Sequence, residues 1–102
     1  MPSWYDVKKN WDYNQGTYIY TDPIFPEVWI SVHPLAQVDD STYLNPRTRI
    51  HAHAIVHRHS YIGWNSVIES HAIVGKESMI YPQVRILDGE KIPPFTTVKH
   101  KV

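Results

Sequence analysis

One aliphatic side chain recurs at every sixth position between residues 32 and 98: Val32, Val38, Leu44, Ile50, Val56, Ile62, Ile68, Val74, Ile80, Ile86, Ile92 and Val98. Val, Leu and Ile make up only 24 of the 102 residues. Twelve consecutive hits at one phase then have a chance probability on the order of one in a million or less. A period of six matches neither the 3.6 of a helix nor the 2 of a strand, and so it marks an internal repeat.

The remainder of each hexad agrees with that reading. Two positions before each aliphatic stand Ala36, Thr42, Thr48, Ala54, Ser60, Ser66, Ala72, Ser78, Val84, Glu90 and Thr96, nine of which are Ala, Ser or Thr. A tight triangular coil needs one large side chain per hexad at its centre, and beside the corner it has room only for a small one. The position after the aliphatic carries Asp39, Asn45, Gly63 and Gly75. These types tolerate unusual backbone angles, which places the special angles of the corners there. The fold class is therefore all-β: a parallel β-helix of hexapeptide repeats with three short strands per 18-residue coil. Twelve hexads make four coils, a stack about 19 Å tall at roughly 4.8 Å per layer. Hexads of this type wind left-handed, against the usual crossover rule.

Three segments follow. Residues 1–31 break the phase and are rich in aromatics, with Trp4, Tyr5, Trp11, Tyr13, Tyr18, Tyr20, Phe25 and Trp29. The open end of a β-helix exposes core side chains and unpaired edges. The segment is expected to cap the first coil or to pack on a neighbouring subunit, with an aromatic ligand platform as the alternative. Residues 32–98 form the β-helix. Residues 99–102 are a tail whose lysines discourage edge-to-edge association. Four coils enclose a thin core and leave three flat faces, which makes a monomer marginal. Solenoids of this type normally hide a face by trimerising, and a homotrimer is the expectation.

Composition narrows the function. Ten basic and ten acidic residues give a net charge of zero, so nothing electrostatic argues for nucleic acid or for an anionic membrane. The chain has no cysteine, which rules out disulfides and thiolate chemistry. No signal peptide or long apolar run is evident, and a cytoplasmic location is the expectation.

Seven histidines in a neutral chain carry the chemical signal. Residues 18 apart stack on successive coils, which puts His33, His51 and Glu69 in one ladder and Asp39 and His57 in a second. His53 and His71 form a third, and His59 stacks near Glu77. Rungs about 4.8 Å apart let two imidazoles share a metal, or let a carboxylate orient a histidine. Purely structural stacking of outward histidines is the competing reading. In either case, protonated rungs repel, so a trimer held by them weakens as pH falls.

The stretch Val56-His57-Arg58-His59-Ser60-Tyr61-Ile62-Gly63, then Val74-Gly75, then Glu90-Lys91-Ile92-Pro93-Pro94, resembles the later coils of γ-class carbonic anhydrases and the related domain of a carboxysome scaffold protein. The resemblance covers about Val32 to Val98. It implies a trimer of left-handed β-helices with zinc held between subunits by three histidines, two from one subunit and one from its neighbour. Carried over residue by residue, His57 falls on the second stacked ligand and Asp39 on the first. Ala52 falls on the neighbour's ligand and His33 on the family's glutamine near the metal. The coil bearing the family's proton-transfer residues has no counterpart.

His51 and His53 flank position 52, so a zinc site of Asp39, His57 and the neighbour's His51 or His53 is the expected variant. Carboxylate oxygen binds zinc at about 2.0–2.2 Å, and three protein ligands leave the open position at which zinc lowers the pKa of bound water to about 7. Carbon dioxide or bicarbonate would then be the small-molecule partner. A non-catalytic structural or assembly trimer is the alternative. A hexapeptide acyltransferase, with His53 or His71 as general base, is a third. Against it, no insertion is present to build a coenzyme A site.

Overall fold

The computed structural model describes residues 3–5, 11–14 and 17–100, with the backbone alone for 11–14, 17 and 18. The strands are β1 (Trp11–Asn14), β2 (Thr17–Thr21), β3 (Trp29–Val32), β4 (Gln37–Val38), β5 (Tyr43–Leu44), β6 (Arg49–Ile50), β7 (Ile55–Val56), β8 (Tyr61–Ile62), β9 (Val67–Ile68), β10 (Ile73–Val74), β11 (Met79–Ile80), β12 (Arg85–Ile86), β13 (Lys91–Ile92) and β14 (Thr97–Val98). From β3 onward they wind into a parallel β-solenoid of four coils. Its first face is β3-β6-β9-β12, its second β4-β7-β10-β13 and its third β5-β8-β11-β14. Partners are 18 residues apart throughout, as in Val32↔Ile50 and Val56↔Val74. Each strand is only two residues long after β3, because the second residue must point inward and the chain must turn at once.

The repeated aliphatics fill the axis. Val32, Leu44, Ile62, Ile68, Val74, Ile80 and Ile86 are fully buried, while Val38 and Val98 pack against this core from its ends. Thr42, Thr48, Ser60, Ser66 and Ser78, two positions earlier in the hexad, are buried as well. Their hydroxyls donate upward to a carbonyl 15 residues on: Thr48 Oγ1 to Gly63 O at 3.2 Å, Ser60 Oγ to Gly75 O at 3.0 Å, Ser66 Oγ to Tyr81 O at 2.8 Å and Ser78 Oγ to Pro93 O at 3.0 Å. The small position thus both fits the corner and bonds the coil above, which is how a buried hydroxyl avoids its desolvation cost.

The corners correct one expectation. The left-handed residue is three places after the aliphatic, not one: Arg47, His53, His59, Asn65, His71, Glu77, Gln83, Gly89 and Phe95 all have φ between 54° and 72°. That conformation turns the amide toward the coil below. Gln83 N–H donates to Trp64 O at 2.8 Å, Phe95 N–H to Lys76 O at 2.9 Å and His71 N–H to Ala52 O at 3.3 Å. Asp39, Asn45, Gly63 and Gly75 serve other ends. Asn45 Nδ2 donates to Ile62 O at 2.7 Å. The two glycines admit the coil above, since a Cβ on Gly63 would lie 2.5 Å from Pro82 N and one on Gly75 2.4 Å from Pro94 N.

The N-terminal segment adds two antiparallel strands to the first face, with β1 pairing β2 and β2 pairing β3. Ser3 bridges Tyr43, and Trp4 N–H donates to Thr42 O at 2.8 Å. The Trp4 side chain is buried in the same cluster as Ile30 and Leu44, and Tyr20 packs against it. Phe25 is exposed. The side chains of Trp11, Tyr13 and Tyr18 lie outside the described residues. Among the described residues, no helix is long and apolar enough to cross a membrane.

Candidate functional site

The three corners present different chemistry. His51 and His53 follow β6 and lie at the corner between the first and second faces, whereas Asp39 and His57 follow β4 and β7 at the corner between the second and third. All four are exposed. The hexad register accounts for this: inward positions are spent on packing, and the next outward positions fall on corners.

Asp39 and His57 are brought together on successive coils, joined by the Asp39 N–H to Val56 O bond of 3.0 Å. They line one shallow hollow of about 370 Å³ with Gln37, Ile55, Ala36 and Trp4. Asp39 Oδ1 accepts the Ser41 hydroxyl at 2.6 Å and the Ser41 N–H at 3.0 Å. The hydroxyl bond foremost, then the amide bond, hold the carboxyl below its ordinary value, with smaller contributions from the nearby His59 and Arg58 charges. This carboxylate is therefore an anion at neutral pH with one oxygen committed to its own turn.

The histidines of the other corner are divided. His33 and His51 share a small hollow with Ser31 and Arg49. His33 Nδ1 accepts the Leu35 N–H at 3.0 Å, so that ring is oriented by its own turn. His53 instead stacks on His71, with ring centroids 5.1 Å apart and planes 16° from parallel, as the 18-residue spacing implies. His71 Nδ1 lies 4.0 Å from Asp88 Oδ1. Glu69, above His51, pairs with Arg85 at 3.8 Å.

Zinc needs three protein donors converging at about 2 Å. Among the described residues, no group of three or more His, Asp or Glu side chains is placed to hold a metal. A single chain offers two donors at one corner and two at another, so it does not fit zinc by itself.

Two features were not read from the sequence. Ser41 as the partner of Asp39 was open to reading from the Asp-x-Ser spacing, which favours a side-chain-to-backbone turn. A second hollow of about 300 Å³ lies between His57 and Pro94, with Gly75 of the column Asp39, His57, Gly75, Pro93 in its lining. A glycine in a column of polar residues was its signal. No family model matches the chain, and no curated protein matches it.

Proposed function

We propose that this chain is a γ-carbonic-anhydrase-like homotrimer that binds zinc between subunits and hydrates carbon dioxide. The observation that carries the reading is the hollow in which Asp39 and His57 sit one coil apart with an apolar wall at Ile55. That corner supplies two donors, and the neighbouring subunit's first corner supplies His51 or His53. His53 is engaged by His71, which makes His51 the better third donor. The solenoid and the hexad motifs around His57 support the kinship. Asp39, His57 and the neighbour's His51 would hold the zinc, which would supply a water acidic enough to be a nucleophile at neutral pH. The residues of this chain bind and orient: Ser41 fixes the Asp39 carboxylate, and Ile55 gives the hollow an apolar wall.

The second reading is a structural or assembly trimer without metal. It is favoured by the commitment of Asp39 Oδ1 to Ser41. One experiment separates the two. Untagged protein is assayed for zinc by elemental analysis and for carbon dioxide hydration by stopped flow, alongside His57→Ala. Zinc near one ion per chain and hydration, both lost in His57→Ala, support the first reading. A metal-free trimer that shows no gain in melting temperature on added zinc leaves the second.

A further inference from the structure

The hollow above Gly75 has a composition unlike the rest of the surface. Ile73, Ile92 and Pro94 form its walls, and His57, Arg58 and Lys76 its remaining lining. The backbone of Pro93 and Pro94 crosses so close that no Cβ fits on Gly75, so position 75 contributes backbone alone to the lining. The comparable close approach at Gly63 lies on the corner that carries Trp64 and Asn45, where no cation column stands.

Arg58 and Lys76 are 18 residues apart and occupy the same hexad position on adjacent coils, which the corner bond of Glu77 N–H to Arg58 O joins. Like charges on adjacent rungs repel. Among the described residues neither cation forms an ion pair; the ion pairs His71–Asp88 and Glu69–Arg85 lie across the second face, at or next to the corner it shares with the first. Arg58 contributes only a minor charge effect at Asp39. The Lys76 ammonium lies 5.3 Å over the Phe95 ring, which holds it at the rim without neutralising it. An apolar notch with two unneutralised cations at its mouth is complementary to one class of ligand.

We propose that the Gly75 notch binds small carboxylates with a compact apolar body, the body against Ile73, Ile92 and Pro94 and the carboxylate toward Arg58 and Lys76. Its volume stands at the lower end of the range for ligand pockets, about 300–1,000 Å³, which suits an aromatic or short branched acid. Guanidinium supplies paired donors to a carboxylate, and the ammonium supplies a further charge. The site shares His57 with the proposed zinc hollow but uses neither zinc nor Asp39, so chelator-treated protein tests it apart from the proposed hydratase activity.

The test is a titration of chelator-treated protein with benzoate, followed by amide and methyl NMR, with benzyl alcohol as the neutral control. Benzoate is expected to shift Gly75, Ile73 and Ile92 with millimolar affinity, at least about tenfold tighter than benzyl alcohol, and to weaken as salt is raised. The double variant R58Q/K76Q should lose the preference for the acid while still binding the alcohol. Ile73→Trp, which fills the notch from the half-exposed outer face, should abolish both without changing the far-ultraviolet circular dichroism. Equal affinity for acid and alcohol, or shifts confined to residues away from Gly75, overturns the proposal. Benzoate binding intact in a protein that takes up no zinc and shows no hydration would sink only the zinc hydratase proposal.

Discussion

At the scale of single residues, the chain distributes its strain with regularity. A non-glycine residue in the left-handed region costs roughly 1–2 kcal/mol, yet eight of the nine corners that adopt it are not glycine. The downward amide bond they make offsets that cost. Gln83 shows the balance: it is exposed, and its N–H donates to Trp64 O at 2.8 Å. Replacing Gln83 by Gly removes the steric penalty and keeps the bond, so a gain of about 0.5–1 kcal/mol is expected in urea unfolding. Asp39 gives a prediction of the opposite kind. Its carboxyl is held below 3.8 chiefly by Ser41. Any stability from that shift is present above the unfolded value and lost as pH falls through the folded one. Ser41→Ala should move the Asp39 titration upward, read from its carboxyl carbon by NMR; an unmoved titration would deny Ser41 its part.

These corners also mark the limit of what the sequence disclosed. The twelve aliphatics announced the coils, because a core position accepts few side chains. The left-handed corners did not announce themselves, because a backbone hydrogen bond stabilises them whatever the side chain, and Arg47, His53, Glu77 and Phe95 serve alike. Asp, Asn and Gly one place after the aliphatic pointed to the wrong residue: there Asn45 binds Ile62 O, and Gly75 makes room for Pro94. The columns of His53 with His71 and of Asp39 with His57 followed from the 18-residue spacing alone. Ring orientation and the Ser41 contact depend on rotamers, which a period cannot encode.

At the scale of the strand and its corner, upward hydroxyl bonds join successive coils. Ser60 Oγ is buried and bonded to Gly75 O. Ser60→Ala leaves that carbonyl without this donor, at an expected cost of about 0.5–1.5 kcal/mol. Ser60→Val should cost more, since the added methyls crowd a corner sized for one small group, and overpacking alone costs about 1–3 kcal/mol. Chemical unfolding of both variants ranks the two effects. If Ser60→Val proved the more stable, the corner would have room to spare, and the account of the small position given above would fail.

At the scale of the whole molecule, the faces differ in what they offer a neighbour. The second face presents Ile55 and Ile73 between Gln37 and Lys91, and the third presents Tyr43, Tyr61 and Met79. The proposed trimer, with histidines at its seams, should come apart as pH falls through the usual histidine range. If the chain trimerises as proposed, sedimentation velocity across pH 8 to 5 shows trimer passing to monomer, whereas a single unchanged boundary removes the histidines from the association.

The two ends of the solenoid are unequal as well. In the first coil β3 gains β2 as a second partner and Trp4 packs on the core, while β4 and β5 keep one strand neighbour each; in the last coil β12, β13 and β14 all have a strand neighbour on one side alone among the described residues. In a stack where every coil touches only the next, stability is nearly a sum of neighbour terms, and melting starts where one term is missing. Amide protection from hydrogen exchange should therefore decline stepwise from Ile50 through Ile68 to Ile86, like a spring loosening from its unclamped end. A carboxylate lodged beside Gly75 would sit where that loosening begins and would act as a clasp on the most labile turn.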